Sequence, residues 1–182
     1  SVEKSGGTID LVGTLPRGLR PSNVLVFTAV QTPRAAGASG VAIRILPNGE
    51  IHVAQPNPAI TALSLDGISF SRRPEDGIPL GLGSGVVAAG GDFEGPSAIG
   101  RGAFVRLQGA VRRASGNGPW TQIVRLPDSL RRISLTLTFE LMSSAGAVRA
   151  NLTEDGWLTY KSGPANFDWI SLSGIEFTAG SY

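Results

Sequence analysis

The stretch Ser64-Leu65-Asp66-Gly67-Ile68-Ser69-Phe70 recurs as Ser171-Leu172-Ser173-Gly174-Ile175-Glu176-Phe177, and this recurrence decides how the chain is read. Working outward, Leu15-Pro16-Arg17-Gly18-Leu19-Arg20 matches Leu126-Pro127-Asp128-Ser129-Leu130-Arg131. Phe27 and Ile43-Arg44 match Phe139 and Val148-Arg149, and Asn48-Gly49 matches Asp155-Gly156. Pro16 and Pro127 stand 111 residues apart, Phe70 and Phe177 stand 107 apart, and the order holds throughout. A fixed order at a nearly fixed offset is the signature of a duplicated module.

Each copy carries its own turn and apolar pattern, so each should bury its own core. The expected organisation is a first β-sandwich over residues 1–73, a Gly/Pro-rich linker or edge segment over 74–100, and a second β-sandwich over 101–182. Val2-Glu3-Lys4-Ser5-Gly6 aligns with Val111-Arg112-Arg113 and Ser115-Gly116. The second copy has an additional strand ahead of that point, Phe104-Val105-Arg106-Leu107-Gln108-Gly109. The first module is therefore expected to begin upstream of residue 1, as part of a longer protein.

Composition agrees with an all-β class. The 182 residues include 25 Gly and 12 Pro, and only 16% are charged, which suits turns and short strands rather than long solvated helices. Val24–Phe27, Val41–Ile45, Ile51–Val53, Ile133–Phe139 and Trp157–Tyr160 read as strands, several alternating with period two. Asn-Gly and Asp-Gly between such runs predict tight hairpins, because these pairs tolerate positive φ. The reading is two tandem β-sandwich domains, jelly-roll-like in kind.

Several function classes drop out. There is no cysteine, hence no disulfide framework and no thiolate metal site. The net charge is +2, with Arg making up all but two of the 16 basic residues. That bias follows either from genomic base composition or from a use for planar guanidinium forks on carboxylates, sulfates or phosphates. No basic run argues for nucleic acid. The longest charge-free segment falls short of the roughly 20 apolar residues that cross a bilayer. A lone histidine, His52, removes multi-His metal sites and His-carboxylate triads with a second base, and it reads as an exposed strand residue. The carboxylate pairs Glu154-Asp155, Glu75-Asp76 and Asp92 with Glu94 leave glycoside hydrolysis as a distant third reading. The expectation is no enzyme activity, no cofactor and no metal.

The Leu-Pro turn, Leu19-Arg20-Pro21, the Asn48-Gly49 hairpin and Ser64-Leu65-Asp66-Gly67-Ile68-Ser69-Phe70 resemble the small β-sandwich modules of bacteriophage tail-fibre, baseplate and receptor-binding proteins. The second copy departs from that pattern at Arg132 and Ser173. The resemblance implies a virion surface protein, in a tail fibre, baseplate or spike, that attaches to host envelope or capsular polysaccharide. It also implies other virion structural proteins as partners and assembly as a homotrimer. The alternative is a structural spacer or trimerisation module without a ligand of its own.

The repeated motif residues read as fold determinants, so binding residues are sought where the copies differ. All three tryptophans and both tyrosines lie in the second half. A pyranose presents C–H faces to an aromatic ring while its hydroxyls take hydrogen bonds, which makes an outward Trp the natural saccharide platform. Trp157 is the first candidate. Alternation turns it outward if Leu158 and Tyr160 face the core, and its first-copy counterpart is Glu50. Trp120, after the Gly116–Pro119 loop, Tyr160 and Arg149 complete the candidate set. Trp169 reads as core or interface.

Overall fold

The computed structural model describes residues 2–3, 10–32, 40–54, 60–71, 76–115, 120–131 and 133–179. Lys4-Ser5-Gly6, Glu75, the Gly116–Pro119 loop, Arg132 and Tyr182 lie outside the described residues. The protein is all-β. The first half contributes β1 (Val2–Glu3), β2 (Leu11–Thr14), β3 (Leu25–Thr32), β4 (Val41–Ile45), β5 (Glu50–Val53) and β6 (Ala62–Ser64). These form one antiparallel sheet in the order β1-β6-β3-β4-β5-β2.

The second half contains β7 (Ile78–Pro79), β8 (Gly81–Leu82), β9 (Val86–Ala88), β10 (Ser97–Arg101), β11 (Phe104–Gln108), β12 (Ala110–Arg113), β13 (Gln122–Arg125), β14 (Leu137–Ser143), β15 (Gly146–Leu152), β16 (Trp157–Ser162), β17 (Trp169–Ser171) and β18 (Glu176–Thr178). Six of them run β12-β17-β14-β15-β16-β13, the same order as the first sheet, with β9 and β8 added at the two ends. Even the irregularities coincide. The β2–β5 pairing shifts register between Leu11 and Gly13, and the β13–β16 pairing shifts between Gln122 and Val124.

Local chemistry explains the matching turns. Pro16 and Pro127 adopt φ −55° with ψ 148° and 143°, and each launches a short 3-10 turn, Arg17–Leu19 or Asp128–Leu130. At the hairpins Gly49 and Gly156 take φ of 90° and 81°, a region closed to most side chains. Their carbonyls accept from the N–H groups of Leu15 and Leu126 at 2.8 and 2.9 Å, tying each Leu-Pro turn to its hairpin.

The second half is a complete sandwich. A four-stranded sheet, β18-β11-β10-β7, lies against the eight-stranded one. Val105, Leu107, Leu141, Leu158, Ile170, Ile175 and Phe177 fill the space between them. Residues 78–101, read above as a linker or edge segment, thus supply four strands to this unit. They escape a sequence reading because the strands are two to five residues long and take their order from distant partners.

One expected strand is shorter at its start. Residues 133–136 precede β14, and Leu135 is 68% exposed instead of sharing a face with Leu137 and Phe139. Leu137 pairs with Leu152, after which β15 enters its turn and no longer offers residues 133–136 a partner.

The halves are packed together. Val24, Val26 and Met142 form a buried cluster flanked by Phe93 and Trp169, whose rings lie 5.2 Å apart. Ser171 Oγ donates to the Val26 carbonyl at 2.6 Å. Trp169 therefore serves the junction between the halves.

Candidate functional site

The outer face of the eight-stranded sheet brings together aromatic, guanidinium and small polar side chains. Within β16, Leu158 is fully buried in the core, so Trp157 and Thr159 on either side of it turn outward. Trp157 sits half-buried opposite Arg125 of β13, whose guanidinium carbon lies 5.7 Å from the indole centroid. Such a contact favours a fixed guanidinium beside the ring. Across the sheet, Thr159 pairs with Asn151 and Asn151 with Thr138. Thr138 Oγ1 donates to Asn151 Oδ1 at 3.0 Å, which turns the Asn151 amide nitrogen away from that bond. Arg149, opposite Glu140, is exposed in the next outward position of β15. The face thus presents an aromatic plane, two guanidinium groups, hydroxyls and a carboxamide.

The four candidates fall into two pairs. Trp157 and Arg149 share the outer face. Trp120 and Tyr160 lie on the core side, both against Phe167. Trp120 is only 5% exposed and stacks on Phe167 at 4.7 Å with an 11° tilt, with Arg113 5.7 Å from its centroid. A ring so enclosed packs the sandwich end and leaves little surface to line a groove. Tyr160 donates its hydroxyl to the carbonyls of Gly163 and Pro164, at 2.8 and 3.3 Å, which fastens the loop after β16. Arg125 was missed by sequence reasoning. Its place beside Trp157 depends on the non-local pairing of β13 with β16, which no short-range pattern encodes.

In the first half the position of Trp157 belongs to Glu50. His52 Nε2 lies 3.1 Å from Glu50 and its Nδ1 3.5 Å from Asp10. Glu50 holds the imidazole pKa above its ordinary value, with Asp10 adding to the effect. The Glu50 carboxyl is in turn lowered by Asn48 and by His52. The matching faces therefore differ in character: a small ionic cluster in one half, an aromatic and guanidinium pair in the other.

The acidic residues show structural ties. Asp155 is exposed at the β15–β16 turn, where the Thr153 hydroxyl lowers its pKa. Glu94 is 2% exposed and accepts from the Gln108 amide, while Asp92 is exposed. Glu176 is lowered by Arg106, which reaches it at 2.7 and 2.9 Å, and by Ser69. Among the described residues no group of three His, Cys, Asp or Glu is placed to hold a metal ion. A separate cleft of about 650 Å³ opens between Leu19 and Phe70 of the first half and Phe104, Arg101 and Arg106 of the second.

No protein-family model matches this chain, and no curated protein does. Among solved structures, the chain is similar to the crystal structure of the receptor binding protein (gp15) of Listeria phage PSA. The TM-score is 0.47 and the identity 18%, over 58% of this chain. The match spans 65% of that structure's chain, just under two thirds of its length.

Proposed function

We propose that this chain is a host-attachment module of a phage virion, in a tail fibre, baseplate or spike, which binds envelope or capsular polysaccharide on the outer sheet face around Trp157. The observation that carries the reading is the Trp157–Arg125 pair beside the Thr159, Asn151 and Thr138 row. The indole offers a stacking plane, and the guanidinium and amide nitrogens supply donors for sugar hydroxyls or acidic-sugar carboxylates. The repeated motifs that resemble phage receptor-binding modules support the virion setting.

One stacked sugar ring with a few hydrogen bonds gives an affinity on the order of 1 mM, about 4 kcal/mol. Attachment then relies on many copies acting together, and a homotrimer in each fibre supplies the first multiplication. Glycan-array binding by particles displaying many copies tests the reading. Trp157→Ala should abolish a signal that the parent chain gives, with its unfolding transition retained. A spacer role is the second reading, favoured by the shared six-strand order of the halves, since repeated units extend reach. It gains if parent particles bind no glycan or cell envelope at all.

A further inference from the structure

The two halves have sheets of the same six-strand order, but only the second has a covering sheet among the described residues. In the second half β18 pairs with β11, and β11 with β10, so that Val105 and Leu107 close the core from the far side. Its counterpart in the first half is Ile68–Ser71, against which no strand pairs among the described residues.

Several matching positions near the closing segment differ in burial accordingly, although Leu25, Phe27 and Val53 are more buried than their counterparts Leu137, Phe139 and Tyr160. Ile123, Leu126, Leu158, Leu172 and Ile175 are at most 2% exposed, whereas Val12, Leu15, Ile51, Leu65 and Ile68 are all partly exposed. Phe177 is 7% exposed and Phe70 more so. The clearest pair is Leu130 and Leu19. Leu130 packs against the β10 backbone so closely that a Cβ at Gly100 would lie 2.6 Å from its Cδ2, while Leu19 stands 56% exposed. Leu19 and Phe70 line the 650 Å³ cleft, which is rimmed by Arg101, Arg106, Asp76 and Glu176. The cleft also borders an interface already formed, through Gln108 on Ser71 and Ser69 on Glu176.

We propose that this cleft receives one more antiparallel strand, the counterpart of β11, laid along Ile68–Ser71 and supplied by polypeptide immediately N-terminal to β1. The topology names that source. In the second half β11 passes through Gly109 alone into β12, and β12 holds the place that β1 holds in the first: Val111 pairs with Ile170 as Val2 pairs with Leu63. A strand added at a sheet edge gains main-chain hydrogen bonds, and its alternate side chains cover the apolar row of Leu19, Ile68 and Phe70. The first half then becomes a sandwich of the same kind as the second.

The test extends the whole chain by a second copy of residues 97–109 fused directly ahead of Ser1, a spacing that keeps the register of β11 to β12. The amide of Phe70, the counterpart of Phe177 opposite Val105, should exchange at least tenfold more slowly with deuterium than in the parent chain, with a raised thermal midpoint. A control extension carrying Asp at both positions copied from Val105 and Leu107 leaves the native β11 untouched and should give no protection. Unchanged exchange with the first extension overturns the proposal, as does equal protection from both. Protection of the Phe70 amide that grows with concentration in the unextended chain, with a larger mass by light scattering, would place a second copy in the cleft and equally overturn it.

Discussion

Gln108 grips the backbone of Ser71 from across the junction between the halves. Its Oε1 accepts from the Ser71 N–H at 2.8 Å and its Nε2 donates to the Ser71 carbonyl at 3.1 Å. The amide does for one residue what a neighbouring strand does for a row. Gln108 is 1% exposed and the same nitrogen also donates to buried Glu94, so the pairing fixes the closing segment of the first half onto the second.

Replacing Gln108 by Leu leaves the Ser71 backbone groups and a Glu94 oxygen without this partner in a dry place. The loss should be about 2–4 kcal/mol, since an orphaned buried polar group costs about 1–3 kcal/mol and a charged one more. Denaturant unfolding of the variant and parent measures it. Loss of less than about 1 kcal/mol would show that water satisfies these groups.

The glycine turns separate two sources of strain. At Gly67, φ is 81° and a Cβ would meet nothing within 4 Å, so Gly67→Ala should cost only the conformational penalty, about 1 kcal/mol. At Gly156, φ is also 81°, but a Cβ would lie 2.5 Å from Arg131 Cδ, and Arg131 bonds the Asp155 carbonyl at 3.2 Å. Gly156→Ala should therefore cost more, about 2–3 kcal/mol, and the difference between the two thermal midpoints reads the clash.

His52 predicts a pH dependence with a definite sign. Its folded pKa is raised above 6.5, so its stabilising contribution is complete below pH 6.5 and fades as pH rises through the raised value. Glu50 is lowered from 4.5, so its contribution is present above pH 4.5 and is lost as pH falls through the lowered value. The gap in thermal midpoint between the parent and His52→Gln should be widest between these limits and close at alkaline pH. A gap that widens at alkaline pH would contradict the cluster.

Trp120→Ala should destabilise the second half by about 3–5 kcal/mol, the usual cost of removing a buried aromatic ring, because Phe167 loses its stacking partner. Thermal unfolding checks it. A cost under about 1 kcal/mol would mean the ring lies open, contrary to its 5% exposure.

The sequence made the matching Leu-Pro turns, the hairpin turns and the outward face of Trp157 legible, because each rests on local chemistry: proline dihedrals, positive φ at glycine and period-two alternation. What it hid depends on pairing at a distance. The strands within the glycine-rich stretch 78–101 are short, and only pairing that leads to β11, β12 and β13 gives them an identity. Trp120 follows a Gly-Pro loop that suggested exposure, while Phe167, far along the chain, closes over it. Arg125 precedes a Leu-Pro turn with no mark of its own until β16 lies beside it.

The most direct test of the central claim is an NMR titration of the chain with oligosaccharides released from the envelope polysaccharide that the glycan array selects. The account expects perturbed signals at the Trp157 indole N–H, the Asn151 carboxamide and Thr159, with the Trp120 indole unmoved. Perturbations confined to Leu19, Phe104 and Arg106 in the cleft, or an unperturbed Trp157 at saturating oligosaccharide, would contradict it.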